Sequence, residues 1–339
     1  MVNKRVVVTE TGGHEVLKLI QEPIPQPGAK MARIKIIVTG VAFGDVLMRE
    51  GVYPNMPALP FTPGYDIVGI IDAVGTGVES VKVGQMVAAL TIHGGYSQYI
   101  CLPEEELVQV PKGVKPEEAV CLVLNYVTSF QMLRRIISLH HGDRVLIHGA
   151  AGGVGSAMLE LGKRIGLKMY GTASSQKLKV IQNYSAIPID YQLEDFVERI
   201  HSLTSDGVDA VFDSIGGAHW YRSFQTLRRG GAFIGYGFSA VLGSHKGEKE
   251  DLEVMRLWKQ IAETKMTLDG NPAYLYSVTK LKNEKPEWFK EDLSCLLDML
   301  YRGEIKPVIS EQLSLTDAVR AHQLFESGTK AGKIIMICN

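Results

Sequence analysis

The feature that most constrains this chain is a glycine-rich turn between an apolar strand and an amphipathic helix. Residues 144–177 read RVLIHGAAGGVGSAMLELGKRIGLKMYGTASSQK, with a short branched apolar run before the turn and helically spaced apolar residues after it. The turn matches Ala150-x-Gly152-x-x-Gly155, the dinucleotide fingerprint with its first glycine replaced by alanine. Such a turn can also serve only to pack a strand against a helix. Here a second strand closes a βαβ unit, so the sequence predicts a dinucleotide site at the helix N-terminus.

The pattern after this turn alternates between strands and helices, which is typical of a doubly wound parallel sheet. The predicted strands cover residues 144–148, 168–173, 187–190, 208–213 and 231–236. The predicted helices lie near residues 153–166, 176–184, 193–203 and 217–229. Residues 239–285 are polar and irregular, and within them we predict a helix near 250–264 and a last strand at 265–269.

The two ends of the chain have a different pattern. Residues 1–120 are β-rich, with short apolar runs separated by turn signals, and a short helix is predicted from Asp45 to Gly51. Pro116 is typical of a helix start, and an apolar helix follows over 122–135. Near the C-terminus the sequence predicts helices over 287–301 and 315–326 and a strand over 334–337.

Length and composition narrow the function classes. A chain of 339 residues favours two domains, and a net charge of -1 gives no electrostatic reason to expect nucleic acid or an anionic membrane as partner. We find no signal-peptide pattern and no apolar run of about 20 residues that would predict a membrane span. The four cysteines are scattered without metal-ligand spacing, which indicates reduced thiols and a cytoplasmic location.

Several further motifs stand in order along the whole chain. They are Gly44-Asp45, Tyr53-Pro54, Thr62-Pro63-Gly64-Tyr65-Asp66, Gly75-x-Gly77-Val78, Leu124-Asn125-Tyr126-Val127-Thr128, the phosphate turn, Gly171-Thr172-Ala173-Ser174, Ile189-Asp190-Tyr191 and Ile305-Lys306-Pro307. Together they resemble the zinc-independent quinone oxidoreductases of the medium-chain dehydrogenase/reductase superfamily, and within that family the branch that includes the vesicle amine transport protein and its bacterial relatives. The resemblance implies a GroES-like β-rich catalytic domain, from residues 1–123 and 285–339, joined to a Rossmann NADP-binding domain of residues 124–284. It also implies a small-molecule substrate and a homodimer.

The same comparison predicts that the protein holds no zinc. In the zinc alcohol dehydrogenases of the superfamily, a cysteine and a histidine bind a catalytic metal. The corresponding positions here resemble Gly44 and Tyr65, which offer no thiolate or imidazole ligand.

The choice of cofactor is predicted at the end of the second strand. Folds that bind NAD usually place an acid there, whereas residues 172–177 contain no acid and offer Ser174 and Lys177. Hydroxyls and an ammonium suit the 2′-phosphate of NADPH, although these residues could also only cap and solvate the next helix. The resemblance also implies that Tyr191 packs near the same phosphate. The resemblance assigns further cofactor contacts to Thr128, Gly152, Gly153, Val154, Gly235, Tyr236, Phe238 and Lys333.

Two residues are predicted at the substrate. The phenol of Tyr53 could donate a hydrogen bond or a proton to a carbonyl oxygen as hydride adds to a conjugated acceptor. It could also only pack in its loop. Asp45 is the second candidate, with a helix cap or an ion pair as its competing role. Relatives often carry an asparagine at the position of Ala42, so this chain lacks one potential polar contact there. His148, beside the phosphate turn, is predicted to be structural.

These observations predict an NADPH-dependent, zinc-independent reductase of quinones or other α,β-unsaturated carbonyl compounds. Two alternatives remain. The first is a 2-enoyl thioester reductase, which would need a basic entrance for the phosphates of a carrier. The second is a nucleotide-binding protein with little catalytic activity, because binding does not prove turnover. The basic residues available for a carrier are Arg222, Arg228, Arg229 and Lys246.

Overall fold

The computed structural model describes residues 2–53, 56–241, 267–268 and 270–338. The chain divides into two compact units. The first, called here the terminal unit, consists of Met1–Val127 and Lys285–Asn339, and the second, the central unit, of Thr128–Glu284. The terminal unit contains both ends of the chain, and each unit has a sheet of its own.

The terminal unit is built on a largely antiparallel sheet. Its strands are β1 (Val2–Val8), β2 (Leu17–Pro23), β3 (Met31–Gly40), β4 (Asp66–Val74), β5 (Met86–Leu90), β6 (Tyr99–Pro103), β7 (Val108–Gln109), β15 (Ile309–Ser314) and β16 (Lys333–Ile337). Seven of them form a sheet of order β15-β16-β3-β4-β5-β7 with β6 also paired to β3, while β1 and β2 pair separately. Strands β2 and β15 were not predicted, because most of their side chains are exposed or half-buried and they lack an apolar run.

The helices of the terminal unit begin and end at recognisable residues. They are α1 (Phe43–Glu50), α2 (Pro116–Cys121), α9 (Pro286–Tyr301) and α10 (Ala318–Glu326). Gly51 ends α1 with a left-handed φ of 78°, and proline occupies the first turn of α2 and α9. The predicted helix over 122–135 is confirmed as a continuous helical stretch, in which π-helical turns at Leu122–Tyr126 and Met132–Ile136 flank α3 (Val127–Gln131).

The central unit contains the predicted doubly wound sheet. Its strands are β8 (Arg144–Ile147), β9 (Lys168–Ala173), β10 (Ile187–Asp190), β11 (Val208–Asp213), β12 (Leu227–Gly235), β13 (Thr267–Leu268) and β14 (Asn271–Leu275). The sheet order is β10-β9-β8-β11-β12-β14-β13, and all neighbours are parallel except β13 and β14. The first six strands have the order of a dinucleotide-binding fold, with the reversal beside β8. The predicted fold class, a GroES-like domain with a Rossmann domain, is confirmed.

The helices of the central unit include one correction. They are α4 (Gly153–Ile165), α5 (Leu178–Gln182), α6 (Phe196–Leu203), α7 (His219–Phe224) and α8 (Val278–Glu284). The helix predicted over 217–229 is wrong in its extent, because Leu227 already pairs with Val208 in the sheet and Gly230 adopts a φ of 78°. The predicted irregular region contains β14 and α8, whereas the helix predicted near 250–264 lies outside the described residues.

The core of the central unit sets the position of its functional edge. Leu146, Val211 and Phe233 come from neighbouring strands and are fully buried, and Trp220 of α7 and Phe196 of α6 pack against them. Because these strands are parallel, their carboxyl ends lie along one edge of the sheet. Ligands bind at this edge in open α/β sheets.

Candidate functional site

The glycine-rich turn connects β8 to α4 and leaves the start of that helix open. Gly149 adopts a left-handed φ of 63°, and Gly152 is the N-cap of α4 in an extended conformation, without a side chain to cap the helix. At Gly155 an added Cβ would overlap the carbonyl oxygen of Gly149 and the backbone of Ala150. Turn and helix therefore touch without an intervening side chain. The first-turn N–H groups and the positive helix end suit a diphosphate, and Gly152, Gly153 and Val154 form this end.

Two polar residues of α3, Thr128 and Ser129, lie near this turn. Ser129 Oγ donates a hydrogen bond of 2.9 Å to the carbonyl oxygen of Val154, which joins α3 to the first turn of α4. Its neighbour Thr128 is 5% exposed, and its hydroxyl has no hydrogen-bond partner among the described residues. A buried hydroxyl without a partner costs free energy that a ligand can recover. Thr128 therefore fits the predicted contact with a polar cofactor group.

The residues predicted at the 2′-phosphate lie at adjacent strand ends. Ser174 directly follows β9 and Tyr191 directly follows β10, and the last residues of the two strands, Ala173 and Asp190, are paired. The Tyr191 N–H donates to the Ala173 carbonyl at 3.4 Å, while its side chain is 57% exposed. Lys177 follows in the next turn of chain, where its N–H donates to the Ser174 carbonyl at 2.9 Å.

The side chain of Lys177 is not that of an ordinary surface lysine. Burial lowers the pKa of its ammonium below the usual value, because a half-buried charge loses hydration. A phosphate nearby would restore that solvation with charge-assisted hydrogen bonds.

Asp190, part of the Ile189-Asp190-Tyr191 motif, lies at this corner, although the sequence predicts no site role for it. Its carboxylate is 4% exposed and accepts hydrogen bonds from the Ser175 hydroxyl and, at 3.0 Å, from the N–H of Gln192. The acid comes from β10, whose last residue pairs with Ala173, and not from the segment 172–177 after β9. Its oxygens are occupied by these donors, and Ser175 is engaged with it.

The end of β12 provides the next group along the same edge. Gly235 pairs with Asp213 of β11, and a Cβ added there would lie 2.9 Å from the ring of Trp220. The Tyr236 hydroxyl donates to the carbonyl oxygen of His148, at 3.4 Å, and burial raises the pKa of this phenol. Phe238 follows, with its Cα beside Gly216. Gly235, Tyr236 and Phe238 thus lie on the functional edge of the central unit, and their contact with a cofactor stays a prediction.

A polar cluster beside the phosphate turn connects the ends of β8, β9 and β11 by hydrogen bonds. His148 Nδ1 lies 3.1 Å from Thr172 Oγ1, and its Nε2 lies 3.1 Å from Ser223 Oγ. The Ser223 hydroxyl also donates to Asp213 at 2.6 Å, and His219 Nδ1 lies 2.7 Å from the same carboxylate oxygen. Burial lowers the pKa of His148 to about 3, so it is neutral at pH 7 and acts as a hydrogen-bonding link.

In the terminal unit, Tyr53 lies against a second tyrosine that the sequence did not single out as an active group. The hydroxyls of Tyr53 and Tyr65 are hydrogen-bonded, and the rings meet edge to face with centroids 6.3 Å apart. Tyr53 is half-buried, whereas Tyr65 is 5% exposed. A Cβ added at Gly44 would overlap the Tyr65 ring, so the ring uses the space left by that glycine.

Asp45 is enclosed and acts as an anchor. Its side chain is fully buried and accepts hydrogen bonds from the N–H groups of Ala42 and Gly64, at 2.9 and 2.8 Å, and from the Tyr96 hydroxyl at 3.2 Å. It therefore caps α1 and holds the chain just before Tyr65. Burial raises the pKa of Asp45 to about 7 despite these donors, because the enclosed carboxylate has lost its water. A direct role of Asp45 at the substrate stays a prediction.

The network around Asp45 continues through the unit. Tyr96 also meets His322 Nε2 at 3.1 Å, and His322 Nδ1 lies 3.2 Å from the Arg49 guanidinium, which pairs with Glu326 at 2.9 Å. Burial lowers the pKa of His322 to about 3. These contacts tie α1 to α10.

Lys333 has a partner that the sequence did not predict. Its ammonium lies 2.6 Å from the Asp66 carboxylate, and both side chains are buried. A buried ion pair of this kind is costly to break, since it would leave an unpaired charge. A contact between Lys333 and a cofactor diphosphate stays a prediction, and in this structure the lysine neutralises Asp66.

Comparisons with known proteins agree with the architecture. The alcohol dehydrogenase GroES-like domain matches residues 28–112, and the zinc-binding dehydrogenase family matches residues 185–336. Together with the relatives described next, they show that the chain belongs to the zinc-independent quinone oxidoreductase family of the medium-chain dehydrogenases/reductases. The prediction that the protein is an oxidoreductase enzyme is confirmed.

The similar proteins cover nearly the whole chain. The synaptic vesicle membrane protein VAT-1 homolog of Rattus norvegicus is 31% identical over 98% of this chain and 83% of its own length. The quinone oxidoreductase of the same species is 30% identical, over 98% of this chain and 97% of its own. Among solved structures, Escherichia coli quinone oxidoreductase complexed with NADPH has a TM-score of 0.86 and 28% identity, with 98% of this chain and 99% of that chain covered.

The residues present do not fit a catalytic zinc, although one matching family is named for zinc binding. Gly44 has no side chain, and Tyr65 presents a phenol that is hydrogen-bonded to Tyr53. Within the described part of the chain, one group of ligand-type side chains comes together, at His148, Asp213 and His219. Its ligand atoms are engaged in the hydrogen bonds given above. The absence of zinc stays a prediction, and no step is derived through a metal.

No helix in the described ranges is both long and apolar enough to span a membrane.

Proposed function

We propose that this protein is an NADPH-dependent, zinc-independent oxidoreductase that transfers hydride to quinones or other α,β-unsaturated carbonyl compounds. The observation that carries the proposal is the arrangement of the central unit. The uncapped start of α4 and the group formed by Ser174, Lys177 and Tyr191 follow three adjacent parallel strands, β8, β9 and β10. A dinucleotide with an additional phosphate fits both features.

The nicotinamide end of the cofactor is assigned to a different set of residues. Thr128 offers the buried hydroxyl that lacks a partner among the described residues, and Gly235-Tyr236 lies at the end of β12. Bound NADPH supplies the hydride that reduces the acceptor. The complex of a similar quinone oxidoreductase with NADPH supports the same cofactor for this chain.

Tyr53 is the group that we assign to the acceptor. As the acceptor gains the hydride electron pair, negative charge grows on its carbonyl oxygen, and the half-buried phenol can donate a hydrogen bond and then its proton to that oxygen. Asp45 supports this group indirectly, through Gly64 and the turn that holds Tyr65.

The test is NADPH consumption with a panel of quinones, enals or enones, and enoyl thioesters, each repeated with NADH. We expect turnover of quinones or enones with a clear preference for NADPH. Turnover of thioesters alone would assign the runner-up activity. The structure offers little support for it, since Arg222 and Arg228 are paired with Asp195 and Asp209 and Lys246 lies outside the described residues. No turnover with any acceptor, combined with tight NADPH binding, would favour a binding protein.

The expected homodimer and cytoplasmic location complete the proposal. Sedimentation equilibrium would measure the mass of the assembly in solution, and a monomer would contradict the dimer. Fractionation of cells would test the location.

A further inference from the structure

The second tyrosine beside Tyr53 is fixed in place by its own backbone. Gly64 adopts a φ of 111° and donates its N–H to Asp45 at 2.8 Å, and the Tyr65 carbonyl accepts the N–H groups of Thr91, at 2.9 Å, and Ile92, at 3.2 Å. Hydrogen bonds on both sides of the Tyr65 Cα therefore set the direction in which its side chain leaves the chain.

The ring of Tyr65 is also held by the space that it fills. It lies over the Cα of Gly44 in the first turn of α1, where any side chain would overlap it. At 5% exposure the ring is buried. A buried ring with a fixed backbone presents its hydroxyl at a defined point.

That hydroxyl meets the hydroxyl of Tyr53, which is the more exposed of the two phenols. Each phenol can donate one hydrogen and accept others. When Tyr53 gives its proton to an acceptor, its oxygen becomes an acceptor of hydrogen bonds only, and the Tyr65 O–H is the donor already in contact with it.

We propose that Tyr65 is a positioning residue for proton donation, which holds the Tyr53 phenol and stabilises the oxygen anion left when Tyr53 gives up its proton. This inference rests on the proposed reductase function. The hydride electron pair from NADPH forms the new C–H bond, the Tyr53 O–H bond breaks and a new O–H bond forms on the acceptor oxygen. Tyr65 keeps its proton and donates a hydrogen bond to the Tyr53 oxygen, which later regains a proton from water.

The first experiment is a double-mutant cycle on turnover, with Tyr65→Phe, Tyr53→Phe and the double variant. A hydrogen bond to a charged oxygen is worth about ten- to a hundredfold in rate, so Tyr65→Phe should lower kcat by that factor while the KM for NADPH stays unchanged. In the Tyr53→Phe background the same substitution should cost nothing more, because the group that it serves is gone. An equal loss in both backgrounds would overturn the proposal, since it would reveal a purely structural role.

A second variant moves the ring and keeps its hydroxyl. Gly44→Ala places a methyl group where the Tyr65 ring lies. Because alanine is a better helix former than glycine, the substitution should not weaken α1 itself. We expect kcat to fall as in Tyr65→Phe, with no further fall when the two changes are combined. Unchanged turnover in Gly44→Ala would contradict the requirement for a fixed ring. Tyr99→Phe, on β6 of the same unit, is the matched control and should leave kcat unchanged.

Assays of the wild-type protein distinguish a failure of the proposed reductase function from a failure of the role proposed for Tyr65. If it turns over no quinone, enone or thioester, the reductase assignment fails, and Tyr65 is then judged by urea unfolding of the same four proteins. Shifts of the unfolding midpoint that are not additive would support a phenol pair in solution. Additive shifts would show that the hydroxyls do not interact, which overturns the proposal independently of activity.

Discussion

At the scale of single residues, Lys177 shows how a local environment can prepare a side chain for a ligand. Its ammonium is half-buried, and burial lowers its pKa, because the charged form has lost part of its hydration in the protein without ligand. It lies one turn of chain after Ser174, at the edge where Tyr191 is exposed.

We expect Lys177→Ala to weaken NADPH binding by about 1.5–3 kcal/mol, the range for a charge-assisted hydrogen bond, and to leave NADH nearly unaffected. Fluorescence titration of both cofactors measures the difference. NADPH affinity of the wild-type protein should also fall with rising pH as the ammonium loses its proton, below the pH usual for lysine. Lys179→Ala, an exposed neighbour, is the control. An equal loss for NADPH and NADH would place Lys177 away from the 2′-phosphate.

Burial also acts on Asp45, but here it raises the pKa, because the neutral form of a carboxyl is the protonated one. Its pKa is about 7 in the folded protein against an ordinary value of 3.8, so the folded state binds the proton more tightly than the unfolded state. Its contribution to stability is therefore complete below the ordinary value and is lost as the pH rises through about 7. The pKa values of His322 and His148 are lowered from 6.5 to about 3. The stability that these two histidines contribute is therefore present above pH 6.5 and is lost as the pH falls from 6.5 towards 3.

Between about pH 4 and pH 6.5, Asp45 thus offsets part of the increase in stability that the two buried histidines produce. Asp45→Asn should reduce the free energy of unfolding overall, because an amide cannot accept all the same hydrogen bonds, and should steepen its rise with pH across this window. Urea unfolding at several pH values measures the slope. Asp298→Asn on the exposed face of α9 should leave it unchanged. The same slope in Asp45→Asn and the wild type would show that Asp45 does not titrate in this range.

At the scale of elements, the glycines of the phosphate turn have different tasks. Gly155 lets α4 touch the turn, since a Cβ there would overlap the backbone of residues 149–150. Gly152 has an extended backbone that any residue can adopt, and its added Cβ would meet only the Gly149 carbonyl oxygen, at 3.2 Å. Gly155 therefore serves packing, while Gly152 keeps the helix start accessible.

This difference predicts a separation of effects. Gly155→Ala should lower the free energy of unfolding by about 1–3 kcal/mol, the cost of inserting a methyl group into a packed contact. Gly152→Ala should change stability less and reduce cofactor affinity more. Thermal unfolding and NADPH titration of both variants provide the measurement. Equal stability losses in the two variants would contradict the assignment.

At the scale of the whole molecule, the chain matches the zinc-binding dehydrogenase family, while Gly44 and Tyr65 stand at the positions that resemble those of the catalytic zinc ligands. Two of its free cysteines, Cys121 and Cys338, are buried, and burial raises the pKa of the Cys121 thiol to about 12. Raising this pKa disfavours the thiolate that zinc requires.

Purified protein should accordingly contain far less than one zinc per chain, and its turnover should survive treatment with a chelator. Elemental analysis and assays before and after chelation measure both quantities. Stoichiometric zinc together with activity lost on chelation would overturn the metal-free proposal. A zinc content that drops in His219→Ala would point instead to the cluster of His148, Asp213 and His219.

The sequence by itself determined the architecture of the central unit and the chemistry expected at its edge. The phosphate turn, the alternation of strands and helices, and the lack of an acid in residues 172–177 are local patterns, and local patterns report backbone periodicity and turn conformation directly. Their positions on parallel strands then follow from the fold class. The short α7 was misjudged because pairing of Leu227 in the sheet outweighed the helical pattern.

Only the tertiary structure decided which side chains meet. Lys333 pairs with Asp66 because β16 lies beside β3 and β3 beside β4, so two residues from opposite ends of the chain share one buried site. Asp190 reaches Ser175 because β10 lies beside β9. The Tyr65 ring fills the space left by Gly44, and its hydroxyl is hydrogen-bonded to that of Tyr53. Such contacts depend on strand order, register and the shape of the surrounding core, which no local pattern of residues encodes.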